Sequence, residues 1–149
     1  MASDLFVLSC GAIPESSRVM GFRAHEAIRR PYELDVYVAV DRHLGDDIQL
    51  DEVVGSRAKL LTRPRNLAEL ATAPPFLFAG VVGVAEIVNA MGERTVFRLR
   101  IVPELWRLGL ALHSRVFTKM SVVDIIKEVL TENGVDAFEL RLTGSFSVR

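Results

Sequence analysis

The sequence predicts a mainly β fold that closes as a barrel and runs on into an α/β tail, and three stretches carry that prediction. Tyr32, Leu34, Val36, Val38 and Val40 alternate with Glu33, Asp35, Tyr37 and Ala39, the period-two pattern of a half-buried strand. Phe97, Leu99 and Ile101 alternate with Arg98 and Arg100 in the same way, and Pro103, which has no N–H to give to a ladder, ends that strand near Val102. Phe76 to Val88 is almost continuously apolar yet carries Gly80 and Gly83, as expected of a buried strand that bends where side chains vanish. Strands that bend in this way close barrels.

The remaining elements follow in order. Leu5 to Ser9 is a short apolar first strand closed by Gly11 and Pro14. Arg18 to Ile28 reads as a second strand running from core to rim, since Val19, Met20 and Phe22 give way to His25 and Glu26. Pro31 sets the start of the third strand, His43 to Asp47 reads as a polar turn, and Ile48 to Val54 as one helical turn ending at Gly55, where positive φ is useful. In Arg57 to Thr62, Ala58 and Leu60 are expected inside and Arg57 and Lys59 outside. Arg65 to Pro75, interrupted by prolines, is expected to be a surface loop. Asn89 to Gly92 supplies hairpin chemistry before the return strand.

Beyond Leu108 the pattern changes. Ser121 is placed as an N-cap with Asp124 three residues on, Val122, Ile125, Ile126, Val129 and Leu130 trace one apolar face, and Asn133-Gly134 ends the helix. Phe138, Leu140 and Leu142 alternate with Glu139 and Arg141, which predicts one further strand. Leu105, Trp106 and Leu108 directly follow the Pro103 stop, and the indole is expected to plug an open barrel end. The expected division is residues 1–106 for the barrel and 107–149 for the beginning of a second α/β domain.

Composition narrows the function classes. With 50% hydrophobic and 25% charged residues among 149, the chain is a globular one able to bury a core. The 18 Lys and Arg nearly balance the 19 Asp and Glu, so no global field draws nucleic acid or an anionic membrane. Cys10 has no second cysteine to pair with and sits in an apolar strand, which fits a small packing residue in a chain folded in the cytoplasm. Met1 to Ser9 lacks the basic start of a signal peptide, and no run approaches the roughly 18 apolar residues of a membrane helix. Neither a signal peptide nor a direct membrane anchor is expected, so export would depend on another machine.

No reaction centre emerges. His25, His43 and His113 have no metal-ligand spacing, and Gly80 to Gly83 lies inside an apolar strand with no helix N-terminus to receive a phosphate. Gly144-Ser145-Phe146 lacks the pattern of a nucleophile elbow, and Asp46, Asp47, Asp51 and Glu52 lack calcium-loop spacing. Arg98 and Arg100, with Glu33 and Asp35 on the neighbouring period-two strand, are expected to form cross-strand pairs or to cross a subunit interface. Catalytic, cofactor and metal residues are all expected to be absent.

Taken in order, Phe6 to Ser9, Gly21-Phe22, Glu26, Pro31 to Val36, Val54-Gly55, Phe78 to Val82, Val102 to Leu108, Arg115 to Phe117 and Val123 to Ile126 resemble the VgrG family, the spike proteins of type VI secretion systems. The likeness spans about Leu5 to Val148 and is most specific in PELWRL, SRVF and VVDII. Its motif positions are Glu26, Pro31, Tyr32, Gly55, Gly80, Pro103, Leu105, Trp106, Arg115 and Phe117. Arg29-Arg30 departs from it, standing where a small residue is expected before Pro31-Tyr32.

The resemblance implies a split β-barrel of the phage tail hub type and a structural, non-enzymatic role. The full-length protein would be a homotrimer joining a tail-tube (Hcp-like) ring to a puncturing needle, contacting baseplate components and effector proteins and binding no nucleic acid. It would assemble in the cytoplasm and leave through the secretion machine. Arg98 and Arg100 would be candidates for channel or interface positions. The competing readings are a phage tail baseplate hub, which shares the fold, and a flavin-binding split-barrel oxidoreductase, which a flavin absorption band would reveal.

Overall fold

The computed structural model describes residues 5–63 and 75–147. It divides into two compact units, Met1–Pro103 and Glu104–Arg149. The loop expected between Arg65 and Pro75 lies almost wholly outside the described residues.

The first unit is one antiparallel sheet of six strands: β1 (Phe6–Cys10), β2 (Arg18–Ala27), β3 (Arg30–Asp41), β4 (Arg57–Thr62), β5 (Phe76–Met91) and β6 (Arg94–Val102), in the spatial order β1-β4-β5-β6-β3-β2. β5 carries the curl. Its first residues pair with β4 (Phe76 to Val81) and its later ones with β6 (Val81 to Met91), with register shifts at Gly83 and Val88. A bulge adds twist and bends its strand, so Gly83 turns the sheet where expected. The edge strands β1 and β2 share no ladder but meet through Phe6 and Phe22, whose rings stand edge to face with centroids 5.2 Å apart. The half-barrel is therefore closed by side chains rather than by backbone hydrogen bonds.

The inner face is the alternating set expected of β3 and β6. Leu34, Val36, Phe97, Leu99 and Ile101 are all wholly buried, together with Leu60 of β4. Burying each such side chain contributes about 1.5–3 kcal/mol. Two short helical turns cap the end of the barrel where β3 finishes: α1 (Arg42–Gly45), where only a polar turn was expected, and α2 (Leu50–Val53). Val53 belongs to the core, and Leu44, Ile48 and Leu50 pack on it. Alternation could not reveal them, because a single helical turn leaves too few residues to show a period. Met20, expected in the core, is 61% exposed because it falls in the bulge between Val19 and Gly21.

In the second unit, Trp106 is half-buried within a 3-10 helix (Glu104–Gly109), while Leu105 is exposed. α3 (Val122–Glu132) has the predicted bounds. Ser121 Oγ accepts the Asp124 N–H at 3.2 Å and donates to the Asp124 carboxylate at 2.6 Å. At the other end Gly134 has φ +73, and Val135 N–H reaches Leu130 O at 2.9 Å, the left-handed stop for which glycine is suited. The strand expected at Phe138 to Leu142 is not formed. A strand needs a neighbour for its N–H and C=O groups, and no strand occurs in this unit among the described residues. Among its described residues this unit holds the 3-10 helix and α3.

Candidate functional site

Two clusters hold most of the positions singled out from sequence. The first is a charge lattice on the outer face of β3, β5 and β6. The register sets Asp35 opposite Arg100, and Arg98 opposite Tyr37 on one side and Glu86 on the other. Asp35 Oδ1 accepts from Arg98 Nε at 3.2 Å and Arg100 Nε at 2.9 Å, and Oδ2 accepts from Arg100 Nη2 at 3.3 Å. Arg98 Nη1 also donates to Glu86 at 2.6 Å, and Arg100 Nη1 lies 3.5 Å from Glu33. Burial pulls the Asp35 carboxyl upward, but the hydrogen bonds and charges of Arg100 and Arg98 outweigh it and hold it below the ordinary carboxylate value. Both guanidinium groups are pushed up, chiefly by their hydrogen bonds to Asp35.

Arg98 and Arg100 therefore sit in pairs within one chain, as the alternation with Glu33 and Asp35 predicted. The participation of Glu86 escaped the sequence reading, because nothing in a long apolar strand shows which residue will stand opposite Arg98. Two arginines and three carboxylates leave the lattice with a net charge of −1.

The second cluster is a tight seam where β5 passes the end of β6. Tyr32 donates its hydroxyl to Ala79 O at 2.6 Å, and its ring packs edge to face on Phe78 at 5.8 Å. Burial first, and the charge of Glu26 second, raise the Tyr32 phenol above its ordinary value. A Cβ on Gly80 would stand 2.1 Å from Val102 O and 2.8 Å from Tyr32 Oη. The glycine is required here by close approach of another backbone rather than by positive φ.

Pro31 is exposed and lies beside the register shift at Glu26, where β3 has no paired neighbour to disappoint. Pro103 directly follows the last residue of β6. Gly55 adopts φ +88, and its N–H meets Val82 O at 2.7 Å, which leads α2 into β4. In the second unit Arg115 pairs with Glu132, while Arg115 and Phe117 line a pocket of about 240 Å³ with His113 and Asn133. The predicted motif residues thus fall into turn, seam and tail positions, and no group of them converges on a reacting atom.

Comparison with known proteins accords with this architecture. Type VI secretion system spike protein VgrG4b of Pseudomonas aeruginosa is 30% identical over 139 residues, covering 92% of this chain and 16% of the relative. VgrG5 of the same organism is 29% identical over 128 residues, 84% of this chain and 15% of the relative. The chain spans between 15% and 17% of the length of these relatives and of VgrG1b. A solved structure of the E. coli c3393 protein, described as a component of the type VI secretion system with structural similarity to T4 bacteriophage tail proteins gp27 and gp5, matches with a TM-score of 0.68. That match has 15% identity and covers 95% of this chain and 37% of that one, so it speaks for the fold. Residues 25–149 match the family described as phage tail baseplate hub (GPD), and the chain belongs to that family.

Proposed function

We propose that this chain is hub material of a type VI secretion spike: a structural part that helps join a tail-tube ring to a puncturing needle, with no catalytic activity of its own. The observation that carries the reading is the curled antiparallel half-barrel with its fully buried β3 and β6 core, in a chain of the baseplate hub family whose curated relatives are spike proteins. A continuous ladder with a dry core resists compression, because deforming it breaks many hydrogen bonds and contacts together. In this reading the full-length protein is a homotrimer, meets tail-tube, baseplate and effector proteins, and travels out with the machine it belongs to. No helix among the described residues is long and apolar enough to cross a membrane.

Within this role, residues 1–106 form the hub barrel and 107–149 open a second domain. Arg98 and Arg100 face a channel or a neighbouring subunit, their charges already balanced by Asp35, Glu33 and Glu86. The alternative that a specific observation favours is a phage tail hub, since the matching family is described by that name. Deleting the coding region in its host separates the two. Loss of tube-protein release into the medium supports the secretion spike; loss of infectious particles with secretion intact supports the phage hub. Retention of both activities rules out either role.

A further inference from the structure

The two edge strands of the barrel are held unequally. β2 pairs with β3 along its length, from Arg18 to Ala27. β1 pairs with β4 only from Phe6 to Cys10, with one further backbone bond from Arg63 N–H to Leu5 O at 2.7 Å. Its sequence, FVLSC, has no charged side chain to form an ion pair, and Phe6, Val7 and Leu8 are half-buried rather than buried. Its far edge has no ladder partner in the sheet order and is tied across the seam by the ring contact of Phe6 with Phe22. By contrast β3 and β6 each stand between two strands and carry wholly buried side chains. Local opening is easiest where pairing and burial are least, which places β1 at the low end of this sheet.

The far end of β1 is built to pivot and to report. Gly11 is exposed, and a Cβ there would meet nothing within 4 Å, whereas Ile13 returns to the core at 7% exposure. Cys10, just before this free glycine, is 8% exposed. Ser56 Oγ donates to Val53 O at 2.7 Å, so in its 3.3 Å contact with Cys10 Sγ the thiol is the donor. With β1 in place the sulfur is covered and hydrogen-bonded.

We infer that β1 is a detachable strap: it lifts from β4 and swings about Gly11, parting Phe6 from Phe22, while the sheet β4-β5-β6-β3-β2 stays folded. The lifted state uncovers the backbone edge of β4 from Ala58 to Thr62. The inference does not depend on the proposed function, since it rests on how one strand is held.

The test is labelling of Cys10, the only cysteine of the 149, by a coloured disulfide reagent across a urea series, at reagent concentrations where the rate is proportional to reagent. Lifting of β1 exposes little surface, so the rate is expected to depend weakly on urea at low concentration and to turn steep only near global unfolding. Phe22→Ala, across the seam from β1, is expected to raise the low-urea rate about tenfold. Leu99→Val, in the β6 core, is expected to move the steep limb and leave the low-urea rate unchanged. Amide exchange reads the same event without the thiol: the β1 amides exchange together, and faster than those of β3 and β6. Four results overturn the inference: a steep slope at every urea concentration, a low-urea rate indifferent to Phe22→Ala or equally sensitive to Leu99→Val, β1 amides that exchange only with β6, and labelling without urea as fast as in an unfolded peptide.

Discussion

The two units of this chain use similar sequence patterns with opposite results. Phe97, Leu99 and Ile101 alternate with arginines and are wholly buried in β6, whereas Phe138, Leu140 and Leu142 alternate with polar residues and form no strand. The difference lies in neighbours. β6 has β3 on one side and β5 on the other, so every residue from Arg94 to Val102 lies in at least one ladder. The later segment finds no strand among the described residues of its unit. Its unit instead leaves Leu112 97% and Val116 90% exposed, and its helix buries Leu130 while Val122 and Ile126 on the same predicted face stay open. A period-two pattern states which side chains could be buried together; it does not supply the strands that bury them.

Core truncation gives the largest expected contrast between the units. Phe97→Ala is expected to lower barrel stability by about 3–5 kcal/mol in denaturant titration, and Leu112→Ala to change it by less than about 0.5 kcal/mol. Equal effects would mean that Leu112 is covered after all. Gly80→Ala comes next. Its Cβ would press on Val102 O, and a loss of about 3 kcal/mol is expected, against a far smaller change for Gly21→Ala, where nothing lies within 4 Å. A tolerated alanine at position 80 would show that the β5 and β6 seam can open without cost.

The charge lattice provides a pH test of the barrel alone. Because the Asp35 carboxyl is lower in the folded than in the unfolded chain, the unfolded state binds the proton more readily. Its stabilising contribution is fully present above the unfolded value of about 3.9 and fades as pH falls through the lower folded value. Asp35→Asn should flatten that part of the stability profile, and an unchanged acid limb would show that Asp35 is not a major contributor. The smallest effect belongs to the tail. Ser121→Ala removes the cap of α3 and should cost about 1 kcal/mol, read as faster amide exchange in the first helical turn with no change in β3 or β6.

Much of the barrel was legible from residues. The bounds of β4, β6 and α3, the positive φ of Gly55 and the glycine bend in β5 all follow from alternation, proline stops and cap chemistry that act within a few residues. The Arg98 and Arg100 pairing was visible as charge alternation, although its third carboxylate, Glu86, was not. Missed elements had weak or misleading local signals. The helical turn α1 is too short to show a period, and the Met20 bulge breaks one without warning.

What the sequence determined by itself is the set of strands and their inner faces, because side-chain direction along an extended chain is fixed by the backbone. Tertiary structure alone decided the order β1-β4-β5-β6-β3-β2, the meeting of Phe6 with Phe22 across the open seam, and the pressure of Val102 O on Gly80. Each of those depends on residues far apart in the chain arriving at one place, and the free energy that selects the arrangement belongs to the assembled sheet rather than to any segment of it.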